Sequence, residues 1–126
     1  MCKMLLSINP EHVENILAGT KRYEFRKRRC REEVSSILIY CTSPVMRVVA
    51  EADIEEVLED TVRAIWNETK EFGGISFHFY QEYYKGKKTA VADKLTNVRE
   101  FDEPMELSHY GLKYAPQSFV YISENF

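Results

Sequence analysis

The run Ile37-Leu38-Ile39-Tyr40-Cys41 constrains the fold more than any other stretch, because it is apolar on both faces of a strand. A strand apolar at alternate positions needs one covering layer. One that is apolar throughout needs two, and belongs in the interior of a sheet. Ser43-Pro44 ends it, since proline cannot donate to a ladder. Other strands are expected at Leu5–Ile8, from Arg47-Val48-Val49-Ala50 into the acidic segment that follows, at Thr89–Leu95 and at Phe119–Ile122.

Helices fall between these strands without regular alternation. Asn9 is an N-cap with Pro10 at the first helical position, and Val13, Ile16 and Leu17 form one apolar stripe that Gly19 stops. Val62, Ile65 and Trp66 mark a second helix, capped by Asp60 or Thr61 and closed by Gly73-Gly74. Ser76 caps a third, which carries Phe77, Tyr80, Tyr83 and Tyr84 and ends at Gly86. The connection before the last strand holds Pro104, Gly111 and Pro116. No repeat is present, and 126 residues make one domain spanning 1–126. The expectation is an α+β fold, a small twisted barrel or sheet with helices to one side; a regular doubly wound fold fits poorly.

Charge is polarised along the chain. Residues 1–31 hold eight Lys/Arg against three Glu, whereas residues 32–126 hold nine against seventeen. Arg26-Lys27-Arg28-Arg29-Cys30-Arg31 places five cations in six positions, and residues 51–60 place six carboxylates in ten. A net charge of -3 gives no overall attraction to polyanions, so binding one would require a focused patch. Otherwise the two runs are solvated faces that screen each other, or the acidic one meets a basic protein partner.

No stretch approaches the ~20 apolar residues of a membrane span. The three cysteines, Cys2, Cys30 and Cys41, show no Cys-x-x-Cys spacing and read as free thiols in a reducing compartment, with Cys41 in the core. A cytoplasmic protein is expected, with no membrane association and a monomeric state assumed. His12, His78 and His109 have no ligand spacing, so neither a metal nor a cofactor is expected.

The densest chemistry lies in Gly19-Thr20-Lys21-Arg22-Tyr23-Glu24-Phe25-Arg26, where a helix stop delivers the chain into an alternating strand spanning Lys21 to Arg28. Tyr23 and Phe25 face one way; Arg22, Glu24, Arg26 and Arg28 face the other. Lys21, Glu24 and Arg26 together can hold a phosphate and a base edge, Arg by planar two-point bonding and Lys as a movable charge. Glu24 can accept from an exocyclic amine. The plainer reading is an exposed edge strand with weak surface salt bridges. Gln117 and Ser118, entering the last strand, either face the same cleft or cap a turn. Phe72, Phe77, Phe79, Tyr80, Tyr83 and Tyr84 have helical spacing that suits core packing for most of them. One or two tyrosines, with Lys85, Lys87 and Lys88, can rim a site where unpaired bases stack.

The pattern Gly19-x-Lys21-x-x-Glu24-x-Arg26, after a strand and a short helix, resembles the G-x-K-x-x-E-x-R signature of the ASCH domain, a branch of the PUA-like superfamily. Leu6-Ser7-Ile8-Asn9-Pro10, Tyr40-Cys41-Thr42-Ser43-Pro44 and Pro116-Gln117-Ser118-Phe119-Val120-Tyr121 resemble a compact prokaryotic subgroup described as predicted transcriptional regulators. The resemblance implies a small twisted PUA-like β-barrel with flanking helices. Its cleft would be lined by the signature and would bind RNA or a nucleotide-like ligand through Lys21, Glu24, Arg26, Gln117 and Ser118. One branch of the family hydrolyses N4-acetylcytidine with a lysine, a threonine and a glutamate. Lys21 matches that lysine, but Glu24 stands where the threonine nucleophile falls. Thr20 precedes the lysine and should point elsewhere, and only Glu68 and Glu71 offer themselves as the glutamate. Another relative is described as a ribonuclease. The expectation is therefore a binding module, the alternative being a small hydrolase acting on a modified nucleoside or on RNA with Lys21 and Glu24 as the reacting pair.

Overall fold

In a computed structural model of the chain, residues 2–30 and 33–123 are described; Arg31, the last cation of the basic run, lies outside them. The elements in chain order are β1 (Cys2–Ile8), α1 (Pro10–Ala18), β2 (Tyr23–Arg26), β3 (Val34–Cys41), β4 (Arg47–Thr61), α2 (Val62–Thr69), α3 (Phe77–Tyr83), β5 (Thr89–Met105) and β6 (Phe119–Ile122), with a 3-10 turn at Leu107–Tyr110. The strands form one mixed sheet in the order β2-β5-β4-β3-β1-β6, in which β1 and β3 run parallel and the other pairs antiparallel. The sheet is twisted and barrel-like, but β2 and β6 remain its edges, so the expected barrel does not close. Among the described residues no helix is long and apolar enough to cross a membrane.

The inner strand is β3, as its composition requires. It lies between β1 and β4, and Ile37, Leu38, Ile39, Tyr40 and Cys41 are all buried. Its two faces enter different cores. Ile37, Ile39 and Cys41 join Met4, Leu6, Ile8, Val13 and Ile16 under α1. Leu38 and Tyr40 join Leu5, Val48, Tyr110 and Ile122, beneath Phe101, Met105 and Leu107 from the far half of β5 and the 3-10 turn. Helix α1 begins as its sequence predicts, with extended Asn9 and Pro10 at its start, and ends on Gly19 at φ 84°. That left-handed turn suits glycine and reverses the chain toward β2.

Strands β4 and β5 are much longer than their apolar runs suggest, at 15 and 17 residues. The excess of β4 is mostly acidic, and cross-strand pairs carry part of it. Glu51 meets Lys3 at 2.8 Å and Arg99 at 3.5 Å, Asp53 meets Arg99 at 3.1 Å, and Glu55 meets Lys94 at 2.9 Å. The acidic run is thus largely a paired, half-solvated ladder face. Thr61 caps α2, its hydroxyl accepting from Ala64 N–H, and Ser76 caps α3 in the same way for Phe79. Both helices end earlier than the glycines downstream of them, at Thr69 and Tyr83.

The third core joins these two helices to β2 and β5 through Phe25, Ile65, Tyr80, Tyr84, Ala90 and Ala92. Small alanines on β5 leave room for Phe25 and the two tyrosine rings, which meet edge-on at centroid distances of 4.8–5.4 Å. The buried Tyr84 hydroxyl donates to the Arg26 carbonyl at 2.7 Å and lies 3.1 Å from that of Val91, bridging β2 to β5. A four-residue edge strand has few ladder bonds of its own, so this bridge matters to its position. Replacing Tyr84 by Phe should lower unfolding stability by about 1–2 kcal/mol in a denaturant titration, because the carbonyl of Arg26 loses its donor in a buried site.

Candidate functional site

The site is assembled where the turn after α1 meets the loop after α2. Arg22 N–H donates to the Phe72 carbonyl at 2.7 Å, and the Lys21 ammonium donates to the Gly73 carbonyl at 2.8 Å. Gly74 is at φ 69°, and a methyl group there would lie 2.6 Å from Lys21 Cβ and 2.8 Å from Cγ. Gly73 is confined less severely, with a Cβ position 3.2 Å from the Phe25 ring and from the Thr69 carbonyl. The glycine pair read from sequence as a helix stop therefore serves as the cradle of the lysine. Only 4% of Lys21 remains exposed, and its ammonium lies 4.9 Å from the Phe25 ring centre.

A cleft of about 450 Å³ opens here between β1, the start of α1, β2, α3 and the entry to β6. Lys21, Glu24, Arg26, Gln117 and Ser118 all line it, so the five residues singled out from sequence converge on one cavity. Strand β2 is shorter than the Lys21–Arg28 segment read from alternation, yet Glu24, Arg26 and Arg28 do share the cleft. The plainer reading of β2, an exposed strand with surface salt bridges, fails because Lys21 and Arg26 are buried. Gln117 and Ser118 are held in place from behind. Ser7 Oγ donates to the Pro116 carbonyl at 2.6 Å and Ser7 N–H to the Ser118 carbonyl at 3.1 Å.

Burial shifts the charges of this group in opposite senses. Desolvation lowers the Lys21 pKa, against the raising effect of Glu24. Desolvation raises the Glu24 pKa, with the nearby Asp93 charge adding to the rise and Lys21 and Arg26 opposing it. Glu24 Oε2 and Arg26 Nε are buried with no hydrogen-bond partner. The Arg26 guanidinium is 2.7 Å from Met4 Sδ through Nη1 and 4.4 Å from the Phe119 ring centre. Buried polar atoms without partners are rare in folded proteins and mark a place where a ligand or water completes the set.

The basic run divides at this point. Arg26 is at the base of the cleft, and Lys27 and Arg28 line it as exposed residues. Arg29 instead donates to the Val57 carbonyl and lies 3.8 Å from Glu59, outside the cleft. Of the aromatics, Tyr80 and Tyr84 are core, whereas Tyr83 and Phe79 line the cleft, Phe79 being 48% exposed. Lys85, Lys87 and Lys88 are exposed and do not line it. Thr20 is turned back on α1, its hydroxyl donating to the Asn15 carbonyl, and Glu68 and Glu71 are exposed away from the cleft. The threonine and glutamate of an N4-acetylcytidine hydrolase therefore have no counterpart among them.

Two residues escaped the sequence reading. His12 lines the cleft with Nδ1 buried and unpartnered, and its ring meets Phe79 edge-on at 5.8 Å. Burial and the Lys21 charge lower its pKa, which favours the neutral imidazole. Its one sequence signal was its place in the first turn of α1, three residues after Asn9, which also lines the cleft. Asp93 is the second, directly opposite Glu24 in the β2–β5 register and 2% exposed. Among the described residues no His, Cys, Asp and Glu side chains gather as a metal-binding set.

Residues 6–105 match the ASCH domain family model. The chain belongs to the ASCH domain family. The matched stretch contains Gly19–Arg26 and stops short of Gln117 and Ser118. The chain is 32% identical over 89 residues to an ASCH domain-containing ribonuclease of Zymomonas mobilis, covering 70% of this chain and 60% of that protein. The crystal structure of ASCH from Zymomonas mobilis superposes with a TM-score of 0.87 at 26% identity, covering 98% of this chain and 89% of that one. A stretch of 120 residues is also 29% identical to the large ribosomal subunit protein uL22 of Ureaplasma parvum, over 94% of this chain but 39% of that protein. The chain thus spans well under two thirds of the length of the curated relatives it matches.

Two measurements test the geometry of the site. Gly74→Ala should cost about 1–3 kcal/mol in denaturant unfolding from the strained φ alone, and more from the collision with Lys21. Gly86→Ala is its control, since Gly86 has a similar φ of 79° and nothing within 4 Å of the added methyl; equal losses would show that Gly74 does not cradle Lys21. Burial of Asp93, only partly offset by Arg26 and Arg29, raises its pKa to about 6. A carboxyl whose folded pKa is raised destabilises the fold as pH climbs from the unfolded value toward the folded one and beyond. The stability of Asp93→Asn relative to wild type should therefore increase by about 2 kcal/mol between pH 4 and pH 7.

Proposed function

We propose that the cleft binds single-stranded RNA, taking one nucleotide at its base and the flanking backbone at its rim. The observation that carries this reading is the set Lys21, Glu24, Arg26 and His12, in which Glu24 Oε2, Arg26 Nε and His12 Nδ1 are buried without partners in a cleft of about 450 Å³. Such a set of buried donors and acceptors suits a flat heterocycle with mixed polar edges. Phe79 offers an exposed ring on which that base can stack. Lys27 and Arg28 add positive charge where phosphates would pass, which supplies the focused patch that the net charge lacks. An unpaired strand fits better than a duplex, because a base can enter a cleft of this kind only when it is free to leave its stack. The likeness to an ASCH domain-containing ribonuclease of Zymomonas mobilis supports RNA as the ligand class. A regulatory role, as the resemblance to predicted transcriptional regulators implies, would act through this binding.

The opposed shifts of Lys21 and Glu24 favour RNA cleavage as a second reading. An unprotonated Lys21 amine would take the proton of a ribose 2′-hydroxyl as its oxygen bonds to phosphorus. A protonated Glu24 would give its proton to the 5′-oxygen as the P–O5′ bond breaks, leaving a cyclic phosphate and a free hydroxyl.

Titration of a labelled single-stranded RNA into wild type and variants tests both readings. Binding should weaken with salt, fall about tenfold or more in Lys21→Ala, and lose about one unit of salt slope in Arg28→Ala. Equal affinity of wild type and Lys21→Ala would remove the RNA from this cleft. The cleavage reading requires 2′,3′-cyclic phosphate ends at wild-type concentrations far below that of the RNA, with loss in both Lys21→Ala and Glu24→Gln.

A further inference from the structure

Glu24 and Asp93 are directly opposite one another on antiparallel β2 and β5, so their side chains share a face of the sheet. Like charges in that position repel, and burial of a carboxyl oxygen on each leaves little water to screen them. Asp93 is 2% exposed; each side chain also has a buried oxygen, Glu24 Oε2 and Asp93 Oδ2, without a hydrogen-bond partner. The cations near them make their hydrogen bonds to other groups, although Arg26 Nε keeps no partner. Lys21 donates to the Gly73 carbonyl, Arg26 Nη1 is against Met4 Sδ, and Arg29 is against Glu59 and the Val57 carbonyl. Two carboxylates so placed cannot both be ionised at low cost.

We infer that Glu24 and Asp93 hold a single proton between them at neutral pH, with the proton on Glu24, so that Glu24 meets the ligand as a neutral carboxylic acid. The surroundings favour this placement of the proton. Asp93 has Arg26 and Arg29 to support its negative charge and faces a second cavity, of about 310 Å³, lined with Arg29, Cys30 and Glu33. Glu24 lines the main cleft, facing Lys21, Arg26 and the Tyr83 phenol, and bears the added repulsion of Asp93. A protonated Glu24 donates one hydrogen bond and still accepts another. It therefore suits an acceptor on the ligand, a phosphate oxygen or a base carbonyl, without repelling an anion. Asp93 acts through Glu24 and is a positioning residue.

This deepens the RNA-binding reading, but only its last consequence rests on RNA. The direct test is a carbon-13 NMR titration of the side-chain carboxyls in the full chain, with Glu24→Gln used to identify the Glu24 signal. In wild type the Glu24 carboxyl should titrate above the ordinary glutamate range. Asp93→Asn should bring it down by about one pH unit or more. Glu24→Gln should leave the Asp93 step in place, because its neighbour was already neutral. An ordinary Glu24 titration in wild type would overturn the inference, as would no movement in Asp93→Asn. A fall of the Asp93 step in Glu24→Gln would put the proton on Asp93 and overturn it equally. All three readouts require no ligand, so they hold if RNA does not bind. With RNA bound, affinity should decline as pH rises through the Glu24 step, and the decline should vanish in Glu24→Gln. A decline that persists in Glu24→Gln would detach the proton from binding.

Discussion

The hydrogen bond from the Lys21 ammonium to the Gly73 carbonyl joins the two segments from which the site is made, the turn after α1 and the loop after α2. Neither segment has regular structure to hold it. Their attachment instead depends on this bond, on the Arg22–Phe72 backbone bond beside it, and on the absence of a side chain at Gly74. The loop in turn sets the entrance angle of α3, whose tyrosines hold β2 to β5. The candidate site and the local fold therefore use the same lysine. A substitution that removes its charge also loosens the loop that completes the cleft, which is why Gly74 is informative as a separate probe.

The architecture was legible where the chain's local preferences and its burial agree. The doubly apolar run at Ile37–Cys41 gave an inner strand, Asn9-Pro10 and Gly19 gave the limits of α1, and Thr61 and Ser76 gave two caps. The lengths of β4 and β5 were not legible. The acidic half of β4 has no apolar period, and it is held in the sheet where Lys3 of β1 and Lys94 and Arg99 of β5 pair with it. Pairing of that kind belongs to the register of the sheet, which a single strand's sequence does not contain. The edges of the sheet were missed for a related reason, since closure depends on which strands meet at the end of the order.

The site followed the same division. Lys21, Glu24 and Arg26 were legible as a short pattern on one strand, and Gln117 and Ser118 as polar residues entering the last strand, all of which line the one cleft. His12 and Asp93 were not, although they complete the electrostatics. Each is a single polar residue in an otherwise ordinary helix turn or strand, and each acquires its chemistry only from a neighbour distant in sequence. For Asp93 that neighbour is Glu24, 69 positions earlier, met through the β2–β5 register.

An aspartate flanked by Ala92 and Lys94 in a half-buried strand would be replaced at no structural loss by a neutral residue of the same shape. Its burial opposes folding at neutral pH, and its partial support from Arg26 and Arg29 does not cancel that opposition. Core residues that work against stability are retained where they set the charge of something else. Here the candidate is Glu24, and through it the balance between one lysine, one arginine and one proton at the base of the cleft. With Glu24 protonated, the two cations and the single Asp93 charge leave the cleft base net positive, to the extent that Lys21 keeps its own proton. With Glu24 ionised that balance is lost, and a phosphate would meet a carboxylate instead of a donor. The repulsion between opposed strand residues is in this sense part of the proposed ligand site, although only one of the two carboxyls lines the cleft.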